Sequence, residues 1–258
     1  MARHIEAWMD GVRLGDIGAI VIDDVDEPAA EMEITYGARN FRGGQTVQKR
    51  RRKSLKVTIH AKVHELYDLQ KRNAIRQEIA AWCNGSILEL SNHPDQQLHV
   101  ICVAEPGLGA VRDFNSQLDI ELEANEIPYW EDKIQNSVSG SGSSGLALMR
   151  IAGTAKEVPV EVTFTPGSAL AALTVGISCG GVSKVIVLSG MNISAGSAVV
   201  FGRDEEDRLT IKNGSTSLMR YRSETSADDL IVPAGNATVR WTAGVSGNVT
   251  FSARGRWL

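Results

Sequence analysis

Hydrophobic residues recur at every second position over much of this chain. Leu55, Val57, Ile59, Ala61 and Val63 alternate with Ser54, Lys56, Thr58, His60 and Lys62, a period of two that gives a strand one buried and one wet face. The same alternation runs through Leu98, Val100, Cys102 and Ala104, and through Leu118, Ile120, Leu122 and Ala124. Upstream, Asp10-Gly11 separates Ile5–Met9 from Val12–Leu14 and predicts a tight two-residue hairpin, since Asp-Gly supplies the positive φ angles that such a turn needs. One segment departs from the pattern. From about Glu65 to Cys83 the apolar positions Ile75, Ile79, Trp82 and Cys83 follow i, i+4, i+7, i+8 spacing, which predicts a helix with one core-facing stripe. Leu66 and Leu69 fall out of phase with that stripe and leave room for a break near Asn73. Asn84-Gly85 is expected to end the helix in a left-handed conformation.

The second half predicts strands throughout. Val158/Val160/Val162/Phe164, Leu173/Val175/Ile177/Cys179, Ala237/Val239/Trp241 and Val249/Phe251/Ala253 each alternate, and Pro166-Gly167, Gly180-Gly181, Asn213-Gly214, Pro233-Ala234-Gly235 and Ser246-Gly247-Asn248 punctuate them. Short strands at such spacing predict an antiparallel sandwich or jelly roll. Between the halves, Ser137 to Gly145 is almost entirely Ser and Gly. Such a run costs much entropy to order and is expected to be a flexible connector. The predicted organisation is an N-terminal β domain with one helix over 1–136, a linker over 137–145, and a C-terminal β-sandwich over 146–258.

Composition narrows the function classes. The 258 residues are 43% hydrophobic and 22% charged, enough for two separate cores. No apolar stretch approaches the roughly 18 residues of a spanning helix, and the N-terminus turns acidic too early for a signal peptide, so synthesis and folding in a cytoplasm, with no membrane partner, are expected. Three cysteines, Cys83, Cys102 and Cys179, lack CxxC spacing and are expected to be buried free thiols. Sequons begin at Asn84, Asn192, Asn213, Asn236 and Asn248; without a secretory route they are expected to mark turns. Residues 1–136 carry 16 Lys/Arg against 22 Asp/Glu and the remainder 11 against 9, a balance unlike the strong positive field of a dedicated nucleic-acid binder.

A search for catalytic chemistry finds none. Gly176 to Val182 resembles a phosphate loop only superficially, because Val182 stands where the essential Lys belongs. His60 and His64 are four apart, yet His60 lies on the wet face of a strand, so the helical geometry of a two-His metal site does not follow. No cofactor or metal is expected. Two charge clusters remain. Lys49, Arg50, Arg51, Arg52 and Lys53 form the denser one, readable as a solvated hairpin arm or as an electrostatic docking surface for an acidic neighbour. Asp204-Glu205-Glu206-Asp207 lacks the spaced ligands of a calcium loop and is expected to be solvated. Trp241 and Trp257 have the chemistry to stack on a sugar, but Trp241 is in phase with Ala237 and Val239 and is expected in the core.

The order of elements also resembles a known family. The stretches Trp8-Met9-Asp10-Gly11-Val12, Arg52 to Ile59 and Ile79-Ala80-Ala81-Trp82-Cys83, with the closing Ile127-Pro128-Tyr129-Trp130, resemble the N-terminal domain of phage distal tail proteins. Leu209-Thr210-Ile211, Leu230 to Asn236 and Arg256-Trp257-Leu258 resemble that family's galectin-like C-terminal sandwich. The resemblance implies a non-enzymatic virion protein at the tail tip, assembled in the bacterial cytoplasm as a homo-hexameric ring. It implies a tail tube protein on one face and a tail-associated tip or fibre protein on the other, with nucleic acid present only as DNA passing through the channel. In some members the galectin-like domains anchor receptor-binding proteins or touch host polysaccharide. Together with the Gly43-Gly44 turn, the basic cluster and the arm's lack of apolar content, the resemblance implies that the arm from Gly37 to Lys53 contacts a neighbouring subunit or ring. A free-standing carbohydrate-binding module, a hydrolase with dispersed carboxylates and another tail sandwich protein such as the tube protein are the alternatives.

Overall fold

A computed structural model describes residues 5–38, 45–64, 68–104, 106–108, 115–125, 127–204 and 207–258. They are mainly β, in two units, Met1–Trp130 and Glu131–Leu258. In the first unit the Asp10-Gly11 turn joins β1 (Ala7–Met9) to β2 (Val12–Arg13), with φ of 49° and 80° at the two turn residues. There follow β3 (Ile20–Asp26), β4 (Met32–Ala38), β5 (Gln45–Arg52), β6 (Lys56–His64), α1 (Leu69–Trp82), β7 (Ile87–Leu90), β8 (Gln96–Cys102) and β9 (Asn115–Ala124). Apart from β4 and β5, these strands join antiparallel in the order β2-β1-β7-β8-β9-β6-β3. Strand β6 lies next to the edge strand β3, with which it pairs, and on its other side pairs with β9 from Lys56↔Glu123 to His64↔Asn115. Its inward side chains, Val57, Ile59, Ala61 and Val63, are buried with Leu98, Val100, Leu118, Ile120 and Leu122. The strand β8 stops at Cys102 rather than Ala104; Cys102 is half-buried and Ala104 exposed.

Helix α1 buries Ile75, Ile79 and Trp82, and the Trp82 Nε1–H donates to Val12 O at 2.7 Å. It starts at Leu69 because the Asp68 carboxylate caps it, accepting the Gln70 N–H at 2.9 Å. It runs unbroken through the exposed Asn73; Leu66, whose phase suggested a break, lies outside the described residues. The helix end also differs from expectation. Neither Asn84 nor Gly85 has positive φ; the chain leaves through tight turns, Asn84 N–H to Ala81 O and Gly85 N–H to Trp82 O. Gly85 is small for a packing reason: a Cβ there would strike Met9 and the Asp10 carboxylate, which itself holds the Ser86 and Ile87 N–H groups at 3.0 Å.

The second unit continues with β10 (Trp130–Asp132), β11 (Asn136–Ile151), β12 (Val158–Pro166), β13 (Leu170–Cys179), β14 (Val182–Ile193), β15 (Val199–Arg203), β16 (Leu209–Asn213), β17 (Thr216–Ser217), β18 (Ile231–Val232), β19 (Gly235–Ala253) and β20 (Arg256–Trp257). The order β14-β13-β19-β12-β15-β16-β17 describes the antiparallel sandwich, with β11 along the other edge of β19. Strand β19 passes from β13, which it pairs up to Ala243, to β12, which it pairs from Gly247. One strand thereby serves both sheets, as in sandwiches whose corners are made by bent strands.

Two expectations fail here for a shared reason. The Ser/Gly run is no linker: residues 136–151 form a strand in register with β19, interrupted by one irregularity between Gly142 and Ser144. The unit boundary accordingly falls after Trp130 and not after residue 136. The segments around Trp241 and Phe251, expected as two strands parted by Ser246-Gly247-Asn248, form the single strand β19. The glycines answer to packing. The Trp241 ring, 5% exposed, occupies the space that a Cβ on Gly140 or Gly145 would need, and Gly247 lies against the Phe164 ring. Sequons follow the same correction, since Asn192, Asn236 and Asn248 lie within strands while Asn84 lies in a turn and Asn213 ends a strand before one.

Candidate assembly interface

The basic cluster lies on a separate ribbon. Strands β4 and β5 pair only with each other among the described residues, with Met32 opposite Arg52, Glu33 opposite Arg51, Ile34 opposite Arg50 and Thr35 opposite Lys49. The side chains of Lys49, Arg50 and Arg51 and the Gly43-Gly44 turn lie outside what the structure describes. The two remaining cations are engaged at the ribbon's base. The Arg52 guanidinium sits 5.5 Å from the Tyr129 ring centre, a cation–π distance. Lys53 donates to the Glu31 carboxylate at 2.7 Å, while its backbone N–H bonds Glu31 O at 2.8 Å. That pair lowers the Glu31 pKa and raises that of Lys53, but both are fully exposed, so it guides the chain more than it stabilises the fold.

The ribbon also carries a feature that charge counting missed. Met32, Ile34 and Tyr36 are exposed by 36%, 37% and 53%, at alternate positions of a strand. The signal was present as apolar residues alternating with Glu33 and Thr35; what sequence could not show is that they stay exposed.

The wet face of β3, β6 and β9 is acidic. Asp24 and Asp26 on β3 and Asp119, Glu121 and Glu123 on β9 flank β6 through the ladder pairs Asp24↔His60, Asp119↔His60, Glu121↔Thr58 and Glu123↔Lys56. His60 bridges two of them, its Nδ1 2.7 Å from Asp119 and its Nε2 3.3 Å from Asp26, which raises its pKa, chiefly through the Asp119 bond. His60 is therefore an electrostatic strut, and among the described residues no group of three or more His, Cys, Asp or Glu is placed to hold a metal ion. Beside Glu123 and Glu121, Ile101 and Val103 are 49% and 53% exposed.

The remaining candidates have structural roles. Of the acidic loop, Glu205 and Glu206 lie outside the described residues. Asp204 binds Arg208 at 3.0 Å. Asp207, expected in solvent, instead meets the buried Arg256 at 3.1 Å, and Arg256 also donates to the buried Glu131 at 2.8 Å. Burial opposes the Arg256 charge, but Asp207 and Glu131 outweigh it and raise its pKa. Gly180 and Gly181, in the segment compared with a phosphate loop, form the β13–β14 turn with φ of 53° and 81°. Cys83 and Cys179 are buried thiols and Cys102 is half-buried, all free; burial pushes both buried thiols' pKa values up. Trp257 donates its Nε1–H to Asp132 at 2.7 Å and lines a cleft of about 520 Å³ with Arg150 and Asn236. No helix among the described residues is long and apolar enough to cross a membrane.

The sequence matches no protein-family model and no curated protein. Its fold matches the crystal structure of the Dit protein (gp 19.1) of SPP1, a paradigm of the hub adsorption apparatus in phages that infect Gram-positive bacteria. That match has a TM-score of 0.72 over 97% of this chain and 98% of that one, at 10% identity. Two structures of the phage P2 baseplate in its activated conformation, with Ca and with Sr, align over 99% and 98% of this chain and 98% of theirs. Their identities are 11% and 10% and their TM-scores 0.47 and 0.46. The first likeness establishes the fold over 97% of the chain.

Proposed function

We propose that this chain is a structural hub protein of a phage tail tip, joining the tail tube to the tip or fibre proteins used in host adsorption. The single observation that carries the reading is the fold match to the SPP1 Dit protein across both units. It agrees with a molecule whose charged residues form surfaces and struts and not a catalytic pocket. In this reading the N-terminal unit closes a homo-hexameric ring and the β4–β5 arm reaches a neighbour. The C-terminal sandwich is then the unit free to meet a receptor-binding protein or a host polysaccharide. Cyclic closure requires two different, mutually complementary surfaces on each copy, and the first unit has surfaces of both signs.

The test is the mass and shape of the purified chain. A ring with a central hole at six times 27.8 kDa, about 167 kDa, is expected by light scattering and negative-stain electron microscopy. Replacing Arg50, Arg51 and Arg52 with Ser should leave a folded chain that no longer enters tails in an infected or induced host. Tails assembled normally around that variant would overturn the arm's role; tails lacking the wild-type chain would overturn the hub reading itself.

A further inference from the structure

The charge of the first unit is divided between two places. Residues 31–53, the arm, carry seven Lys/Arg against two Asp/Glu, whereas the rest of residues 1–130 carry eight against eighteen. Among the described residues β4 and β5 form their own two-stranded sheet, and on the wet face of β3, β6 and β9 Lys56, Lys62, Asp119 and Glu121 are exposed. On that face Glu121 is exposed and Glu123 is half-buried opposite Lys56. They stand next to Ile101 and Val103, half-exposed on the neighbouring strand and its continuation. The arm presents the counterpart, with Met32, Ile34 and Tyr36 exposed on β4 opposite a basic β5.

From this we infer that the Ile101–Val103 and Glu121–Glu123 patch is the acceptor for the β4–β5 arm of a second copy of this chain. The inference rests on the ring reading above and names the surface that the arm meets. Both partners set exposed apolar residues beside charge, and in the sequence their signs are opposite. Such pairing steers encounter and rejects wrong orientations. Arm against arm brings basic strands together and face against face brings carboxylates together, so like-charge repulsion disfavours both of these pairings. Arm against face is head to tail, the contact type that closes rings.

The experiment uses two full-length variants and their mixture. Glu121→Arg with Glu123→Arg reverses the acceptor; Arg50→Glu with Arg51→Glu reverses the arm. Each should weaken self-association at least about tenfold at low salt, and wild-type association should itself weaken as salt rises. Mixed together, the two variants complement each other at both contacts, native arm on native face and reversed arm on reversed face, and should close a ring of alternating chains. This result also shows that each variant is folded. A chain carrying all four changes should regain the ring. A ring that survives acceptor reversal overturns this contact and leaves the ring reading standing, as does a mixture that fails to pair while wild type assembles. A wild-type chain monomeric up to about 200 μM, near the weak end of specific association, also overturns it, and tail incorporation then judges the hub reading separately. Arm-dependent retention of double-stranded DNA without self-association would assign the arm to nucleic acid and overturn it as well.

Discussion

Two ionisable residues show how little a side chain's type says about its task. His60 looked like half of a metal pair and is instead held between two carboxylates, which raises its pKa. Its protonated form is favoured in the folded chain, so its contribution to stability is complete below the unfolded value of about 6.5 and is lost as pH rises through the higher folded value. Thermal unfolding followed across that window should show melting temperature falling with pH in wild type and a flatter profile in His60→Asn. Arg256 was read only as part of a terminal motif. With Arg256 5% exposed and Glu131 8% exposed, Arg256→Met should destabilise the chain by about 3–5 kcal/mol, the cost of leaving a buried partner uncompensated, measured by urea unfolding. A loss under 1 kcal/mol would mean that Glu131 takes up a proton or reaches water. Neither partnership had a sequence signal, because the partners lie 59 and 125 positions away.

At the scale of elements, periodicity was a good guide wherever side chains chose the structure. The hairpin at Asp10-Gly11, the inward faces of β6, β9, β12 and β13, and the stripe of α1 all follow from spacing. Ile79→Ala should cost about 2–5 kcal/mol, as expected of a residue 1% exposed. The Ser/Gly run is where local reasoning failed. Its entropy cost was assessed as though it stood alone, but β11 is held by backbone bonds to β19 and by the Trp241 ring that its glycines admit. Gly140→Ala and Gly145→Ala should therefore each destabilise by about 1–3 kcal/mol through overpacking; a flexible connector would accept either change without loss. The same neighbour explains why β19 continues through Ser246-Gly247-Asn248. Gly247 and Asn248 are paired on both edges, by β11 and β12, while Gly244 to Ser246 fall where the ladders change partner and register.

For the whole molecule, the separation of a basic arm from an acidic face turns a small net charge of −4 into a directional surface. The ring and its salt sensitivity are the consequences to measure: a species near 167 kDa at low ionic strength should dissociate toward the monomer as salt rises, since exposed charge pairs are screened beyond about a Debye length. The sequence by itself determined the class of the fold, the helix α1 and the location of the densest basic cluster, because each of these is written in local periodicity and composition. Only the tertiary structure decided that Ser137 to Gly145 is a strand, that Asp207 serves Arg256, and that Met32, Ile34 and Tyr36 stay exposed. It also brought Glu121 and Glu123 beside Ile101 and Val103. The physical reason is common to all four: backbone pairing, burial and charge compensation are contributed by residues distant in the chain, and no local window contains them.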